Sequence, residues 1–296
     1  MKSKLIYWLT YAGMWLLALL PLGALHVLSD AICFLLRHLF RYRRRVVRTN
    51  LANAFPEKGK KELREIERRF YHYICDYMME EVKMLRMSLD EMKRRMTYEN
   101  TEAYLSMIEK HGGIVVMIPH YANFEWLIGM GAIMQPGDIP AQVYKPLHNS
   151  YLDEMFKVIR SRFGGYNIAK HSTAREVIRL RREGKRMALG LITDQSPNRN
   201  EAKYWTTFLH QETVFMDGAE RIAKMMDFPV FYAELEHVKR GYCKVRFDLL
   251  TETPKLTAEG EITELFARRL DQTIRRNPPY WFWSHRRWKL KRSEIG

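Results

Sequence analysis

Apolar residues in this chain fall into two patterns: short unbroken runs bounded by glycine, proline or polar residues, and longer stretches that recur every three to four positions. The first pattern predicts strands buried on both faces, as in a parallel sheet, and the second predicts amphipathic helices that cover it. Ile114 to Ile118 follows the pair Gly112–Gly113 and stops at Pro119. Ile139 to Tyr144 and Met187 to Thr193 read the same way, and Phe228 to Val238 with Tyr242 to Leu250 reads as a hairpin around Lys239-Arg240-Gly241. Helices are predicted from Lys60 to about Ser88, across Asp90 to Lys110, and from Asn123, as N-cap, toward Gly131. Further helices are predicted over Tyr151–Phe163 (closed by Gly164-Gly165), Ser172–Arg182, a stretch opening at Met216 and reaching Met226, and Ile262–Arg275. In the first of these helices Ile66, Phe70, Tyr73, Ile74, Tyr77 and Met78 share a stripe that reads first as core packing; Tyr73, Tyr77 and Met84 also suit the border of an acyl groove. Ser196 to Val214 reads as a long loop carrying Trp205, Phe208 and Leu209. The alternation as a whole predicts an α/β fold, with a mixed, largely parallel sheet flanked by helices.

The amino end departs from this pattern. Leu5 to Leu36 contains no Lys, Arg or Glu, and Asp30 is its only acid. Pro21 and Gly23 interrupt it, and Leu5 to Leu20 alone is short for a membrane span. A cleaved signal peptide fits the basic start (Lys2, Lys4) but not the poor cleavage pattern or the continuing apolar run. A buried helix is a second reading. A kinked membrane anchor or interfacial hairpin is favoured, because Tyr7, Trp8, Tyr11 and Trp15 are interface-type aromatics. Arg37, Arg41, Arg43, Arg44, Arg45 and Arg48 follow directly, which reads as a cytoplasmic-side, headgroup-binding flank. The expected division is an anchor over residues 1–40 and a catalytic unit over 41–296.

Composition narrows the partners. A formal net charge of +15 over 296 residues calls for an anionic partner: nucleic acid, a membrane surface, or an acidic substrate or carrier protein. No helix-turn-helix or RNA-binding signature is present, so nucleic acid is not expected. The three cysteines, Cys33, Cys75 and Cys243, are scattered, with neither a disulfide framework nor zinc-ligand spacing, and no metal is expected.

Candidate chemistry gathers where strands end. His120 follows the strand 114–118 in the crevice where open α/β sheets bind ligands. Glu125 lies five residues on, and Asp194-Gln195 caps the strand 187–193. Either carboxylate would orient an imidazole acting as general base; Asp194 reaches His120 if the two strands are neighbours, and the sequence leaves both open. No G-x-S-x-G surrounds the histidine, so a serine nucleophile is disfavoured, and the base would activate a hydroxyl on the substrate itself. Arg160 and Arg162 are candidates for holding a phosphorylated sugar or an oxyanion.

His120-x4-Glu125 after an apolar strand resembles the motif of the bacterial lipid A biosynthesis (lauroyl/myristoyl) acyltransferases; wider glycerolipid acyltransferases usually carry His-x4-Asp. Other segments resemble the same family in the same order: Arg48-Thr49-Asn50-Leu51 through Phe55-Pro56-Glu57, Tyr144-Lys145-Pro146 with Arg160 and Arg162, Asp194-Gln195, the helix at Gly218-Ala219, and the closing Pro278 to Lys289 with its Tyr280, Trp283, His285, Trp288 and Lys289. Lys145 stands where the family usually has arginine, which keeps the charge and loses the planar fork. Tyr204 to Leu209 departs from the family pattern. The resemblance implies a membrane-associated O-acyltransferase of glycerolipid-acyltransferase-like fold at the inner membrane, its catalytic domain on the cytoplasmic face. It implies transfer of a fatty acyl chain from acyl carrier protein, or coenzyme A, to a hydroxyl of a phosphorylated glycolipid acceptor, with no cofactor and no covalent intermediate. On this reading His120, Glu125 and Asp194 are the catalytic candidates, and Lys145, Arg160, Arg162 and Gln195 the substrate-binding ones. Rival readings are an acyltransferase acting on lysophosphatidic acid or another glycolipid, a thioesterase, and a non-catalytic basic membrane-associated protein.

Overall fold

The computed structural model describes residues 2–147 and 149–294. Met1, at the start of the expected anchor, and Ile295 and Gly296, at the end of the expected catalytic unit, lie outside them. Helices α1 (Lys2–Leu19), α2 (Leu22–Phe34), α3 (Arg44–Ala54), α4 (Lys60–Met84) and α5 (Leu89–Arg95) precede strand β1 (Met96–Glu99). Helix α6 (Thr101–His111) then leads into β2 (Gly113–Ile118), followed by β3 (Ile139–Tyr144), α7 (Ser150–Ser161), β4 (Tyr166–Ala169), α8 (Thr173–Arg182) and β5 (Met187–Ile192). A hairpin of β6 (Tyr204–Phe208) and β7 (Gln211–Phe215), helix α9 (Gly218–Met226), the long pair β8 (Val230–Lys239) and β9 (Tyr242–Thr251), and helix α10 (Glu261–Arg276) complete the chain.

One sheet of seven strands runs in the order β1-β9-β8-β2-β5-β3-β4. All its pairs are parallel except the β8–β9 hairpin. The mixed, largely parallel α/β sheet predicted from the buried runs is therefore the fold. β2 lies between β5 and β8, and every one of its residues is buried, which is why its sequence contains no polar side chain. It begins with glycine for a steric reason: a Cβ on Gly113 would stand 2.5 Å from the Phe228 ring. The edge strands β1 and β4 are only four residues long, which limits the unpaired backbone offered to other chains. The register that matters for function is Ile118 opposite Ile192, because it brings the carboxyl ends of β2 and β5 level.

Several expectations are corrected. The segment after Asn123 is a 3-10 stretch, Phe124–Ala132, and Asn123 does not cap it: its amide nitrogen donates instead to the buried Glu80 Oε2 at 2.7 Å. With the amide turned to Glu80, the Asn123 Oδ1, the atom that would cap a helix, accepts no hydrogen bond among the described residues. Within the predicted helix 90–110, Met96–Glu99 forms β1, because the chain straightens to pair with β9. The predicted loop 196–214 contains the β6–β7 hairpin, with Phe208 and Leu209 buried. The edge strand β4 was carried by too few residues to show a pattern.

At the amino end, Pro21 separates α1 from α2, and a π-helical turn, Leu35–Leu39, continues α2. The stretch Leu22–Leu39 is long and apolar enough to cross a membrane by length and composition. One side of these helices packs on α4: Ala18, Leu22 and Leu25 are buried, and Lys83 Nζ donates to the carbonyls of Ala18 and Leu20 at 3.1 and 2.9 Å. The other side exposes Trp8, Leu9, Leu16, Val27, Phe34, Leu39 and Phe40.

Candidate active site

His120 and Asp194 each stand two residues beyond the paired Ile118 and Ile192, so parallel register alone brings them face to face. His120 Nδ1 lies 2.6 Å from Asp194 Oδ1, and the His120 backbone N–H donates to Oδ2 at 3.1 Å. Trp281 Nε1 donates to the same Oδ2 at 2.7 Å. Burial by itself would raise the Asp194 carboxyl; attraction to His120 and the hydrogen bonds from the imidazole, the indole and the backbone outweigh it and hold the group below the usual carboxylate range. An ionised Asp194 requires the hydrogen on Nδ1, which leaves a lone pair on Nε2. Gln195 Nε2 is 3.0 Å from that atom and donates to it, consistent with the same tautomer.

The loop that carries His120 is held in a strained shape. Ala122 has φ +47°, unusual for a residue with a Cβ. Its backbone is fixed from both sides: its N–H donates to the Tyr280 carbonyl at 2.9 Å, and its carbonyl accepts from the Tyr73 hydroxyl at 2.8 Å. Phe124 and Phe282 flank the imidazole with ring centroids 4.8 and 5.5 Å away.

Glu125 is not the acid beside His120. It forms a two-point pair with Arg160, at 2.7 Å (Nη2) and 3.1 Å (Nε). The neighbouring Glu81 is half-buried with its Oε1 unpartnered; burial, then the charge of Glu125, push its carboxyl well above the usual range. Of these two carboxyl groups, Glu125 is the one hydrogen-bonded to Arg160.

His120, Gln195, Glu125 and Arg160 line a cavity of about 1160 Å³. Its wall near His120 and Glu125 is apolar, with Phe124, Leu127, Ile128, Met130 and Phe156, and Tyr77 from the α4 stripe borders it; Tyr73 and Met84 are buried in the core instead. Gly190 on β5 also lines it, and a Cβ there would crowd Ile118 at 3.0 Å. Lys145, Lys170, Lys203 and Arg221 bring positive charge to the lining, Lys170 being paired with Glu201 at 2.6 Å. The structure thus brings His120, Gln195, Glu125, Arg160 and Lys145 to one cavity, with Asp194 buried behind His120. Arg162 does not line it: its Nη2 donates to the Met87 carbonyl at 3.0 Å.

Residues that sequence reasoning did not assign to the site come mainly from the carboxyl-terminal segment. Besides Trp281 and Phe282, His285 Nε2 accepts from the Ser196 backbone N–H at 3.2 Å, next to Gln195. Burial holds His285 down to about 4, which keeps it the neutral acceptor this bond needs. Asn50 in turn donates to the carbonyls of Trp283 and His285 at 2.8 and 2.9 Å. The amino-terminal Arg-Thr-Asn-Leu segment and the closing aromatic-basic segment are thus one structural unit behind Asp194, and their signal in the sequence was the density of tryptophan, histidine and arginine between Tyr280 and Lys289.

The model of a family described as bacterial lipid A biosynthesis acyltransferase matches residues 1–290. A lipid A biosynthesis acyltransferase of Haemophilus influenzae is 21% identical over 239 residues, covering 77% of this chain and 73% of its own. With a match along nearly its whole length, this chain belongs to the bacterial lipid A biosynthesis acyltransferase family.

Proposed function

We propose that this acyltransferase passes a fatty acyl chain from the thioester of acyl carrier protein to a hydroxyl of a phosphorylated lipid A precursor, with His120 as general base and Asp194 as the carboxylate that orients it. The observation that carries the reading is the 2.6 Å contact between His120 Nδ1 and Asp194, with Nε2 turned to the cavity side and the apolar wall beside it.

The acceptor hydroxyl displaces the Gln195 amide from His120 Nε2 and gives that nitrogen its proton as the oxygen attacks the thioester carbonyl. Asp194 stabilises the resulting imidazolium. The Gln195 N–H, freed from the imidazole, is close enough to donate to the oxyanion. Collapse of the tetrahedral intermediate breaks the C–S bond; the departing sulfur takes the proton from His120, leaving an ester, a free thiol and the base restored. The apolar wall formed by Phe124, Leu127, Ile128 and Met130 accommodates the acyl chain, and Lys145 meets phosphate at the cavity. Glu125 keeps Arg160 fixed as part of the cavity wall. The exposed apolar side of α1 and α2, followed by the arginine cluster from Arg37 to Arg48, supports attachment to the cytoplasmic face of the inner membrane, with anionic lipid beneath the basic flank. The same excess of positive charge suits an acidic carrier protein.

Donor competition tests this. Purified enzyme is given a lipid A precursor with acyl groups carried on acyl carrier protein or on coenzyme A, and the products are separated. The proposal expects an acylated precursor, formed faster from the carrier protein. Free fatty acid as the sole product, or transfer only to lysophosphatidic acid, contradicts it.

A further inference from the structure

A second cavity, of about 310 Å³, lies apart from His120 and is lined by Arg37, Arg44, Arg48, Arg64 and Glu67. Arg37 belongs to the π-helical turn that extends α2, Arg44 and Arg48 to α3, and Arg64 and Glu67 to α4. Four guanidinium groups therefore face one carboxylate. Glu67 is buried and accepts from Arg48 Nε at 2.9 and 3.1 Å. Arg44 Nε stands 3.5 Å from the same carboxylate, buried and without a hydrogen bond. Among the described residues the side chains of Arg37 and Arg64 form no hydrogen bond or ion pair. The fold thus gathers like charges around an open space and leaves most of their donors unused, an arrangement that an anion would stabilise.

The donors specify the ligand. Planar guanidinium forks match the oxygens of phosphate, and several arginines round one small cavity suit a single phosphate group. The surroundings specify its source. Arg37 shares its turn with Leu35 and Leu39, and Phe34 and Phe40 flank them; all four side chains are exposed. A soluble anion gains nothing from that apolar surface, whereas a phosphate carrying acyl chains has its chains alongside it. We propose that the Arg37–Arg44–Arg48–Arg64 cavity binds the phosphate headgroup of an anionic phospholipid. The assignment rests on the reading of the amino-terminal helices as a membrane-facing surface, and it adds a defined headgroup site to a diffuse basic flank.

The test is flotation of the full chain with vesicles of phosphatidylcholine alone and of phosphatidylcholine containing phosphatidylglycerol. The wild type binds both and binds the anionic vesicles more tightly. Arg37→Gln combined with Arg64→Gln, neither of which removes a bond within the fold, lowers the phosphatidylglycerol-dependent affinity by about tenfold per arginine and leaves binding to phosphatidylcholine unchanged. Arg41→Gln combined with Arg45→Gln is the control, since both side chains are exposed and neither lines the cavity. Equal losses from the two double variants would mean diffuse surface charge and overturn the proposal. Equal wild-type binding to both vesicles would overturn it while leaving the membrane reading intact; binding to neither would remove both. Calorimetry with inorganic phosphate on the detergent-held, lipid-free chain separates the sources, and binding there as tight as to the lipid would reassign the site to a soluble anion.

Discussion

His120 Nδ1 and Asp194 Oδ1 are 2.6 Å apart because two parallel strands end level and each residue stands two positions beyond the facing pair Ile118 and Ile192. The proposed general base and its orienting acid thus come from neighbouring strands rather than from one loop. The five-residue spacing from His120 to Glu125 suggests the opposite pairing, yet the backbone reversal at Ala122 turns Glu125 toward Arg160.

This division of the two carboxylates predicts different variants. Glu125 and Arg160 are only 12% and 18% exposed at their side chains, so removing one partner strands the other in a poorly solvated place. Glu125→Gln is expected to lower stability by about 3 kcal/mol, and adding Arg160→Gln to recover part of that loss. Thermal unfolding of the two single variants and the double variant measures the coupling; additive losses would contradict the pairing.

Gln195 is expected to act in the transition state rather than in substrate binding. Gln195→Ala should reduce kcat by about a hundredfold, with KM for the acceptor changed much less. A rise in KM at constant kcat would show that Gln195 merely holds substrate.

Much of the fold was legible in the sequence, and the reasons are local. Unbroken runs such as Ile114–Ile118 and Met187–Ile192 have no other home than the middle of a parallel sheet, and from there the crevice at His120 follows. The choice between Glu125 and Asp194 was not legible, because it depends on which strands are neighbours and in what register. Nor was the contribution of Trp281, Phe282 and His285: they lie more than 80 residues beyond Asp194 and reach the site through long-range contacts such as the backbone bridge between Tyr121 and Trp281. The β6–β7 hairpin was hidden for another reason. Its exposed, polar positions between Tyr204 and Phe215 resemble a loop until Phe208, Val214 and Phe215 are seen to be buried together.

Two half-buried histidines predict a pH dependence of stability. His285 sits near 4 in the fold against 6.5 when free, and burial lowers His237 as well. Between these values the unfolded chain binds protons that the folded chain refuses, so stability falls as pH drops from 6.5 toward 4. The lowered carboxyl of Asp194 adds its own loss only below the ordinary carboxylate range, under about pH 4. Melting temperatures across this interval should decline, and His285→Gln should flatten the slope. An unchanged slope would mean that His285 titrates normally.

The most direct measurement is single-turnover transfer of a labelled acyl group from acyl carrier protein to a purified lipid A precursor, comparing wild type with His120→Ala and Asp194→Asn, each verified as folded. The account predicts that His120→Ala loses a factor of about a thousand and Asp194→Asn about a hundred or more in the chemical step, with acceptor binding retained in both. Near-wild-type transfer by either variant would contradict the assignment of base and orienting acid.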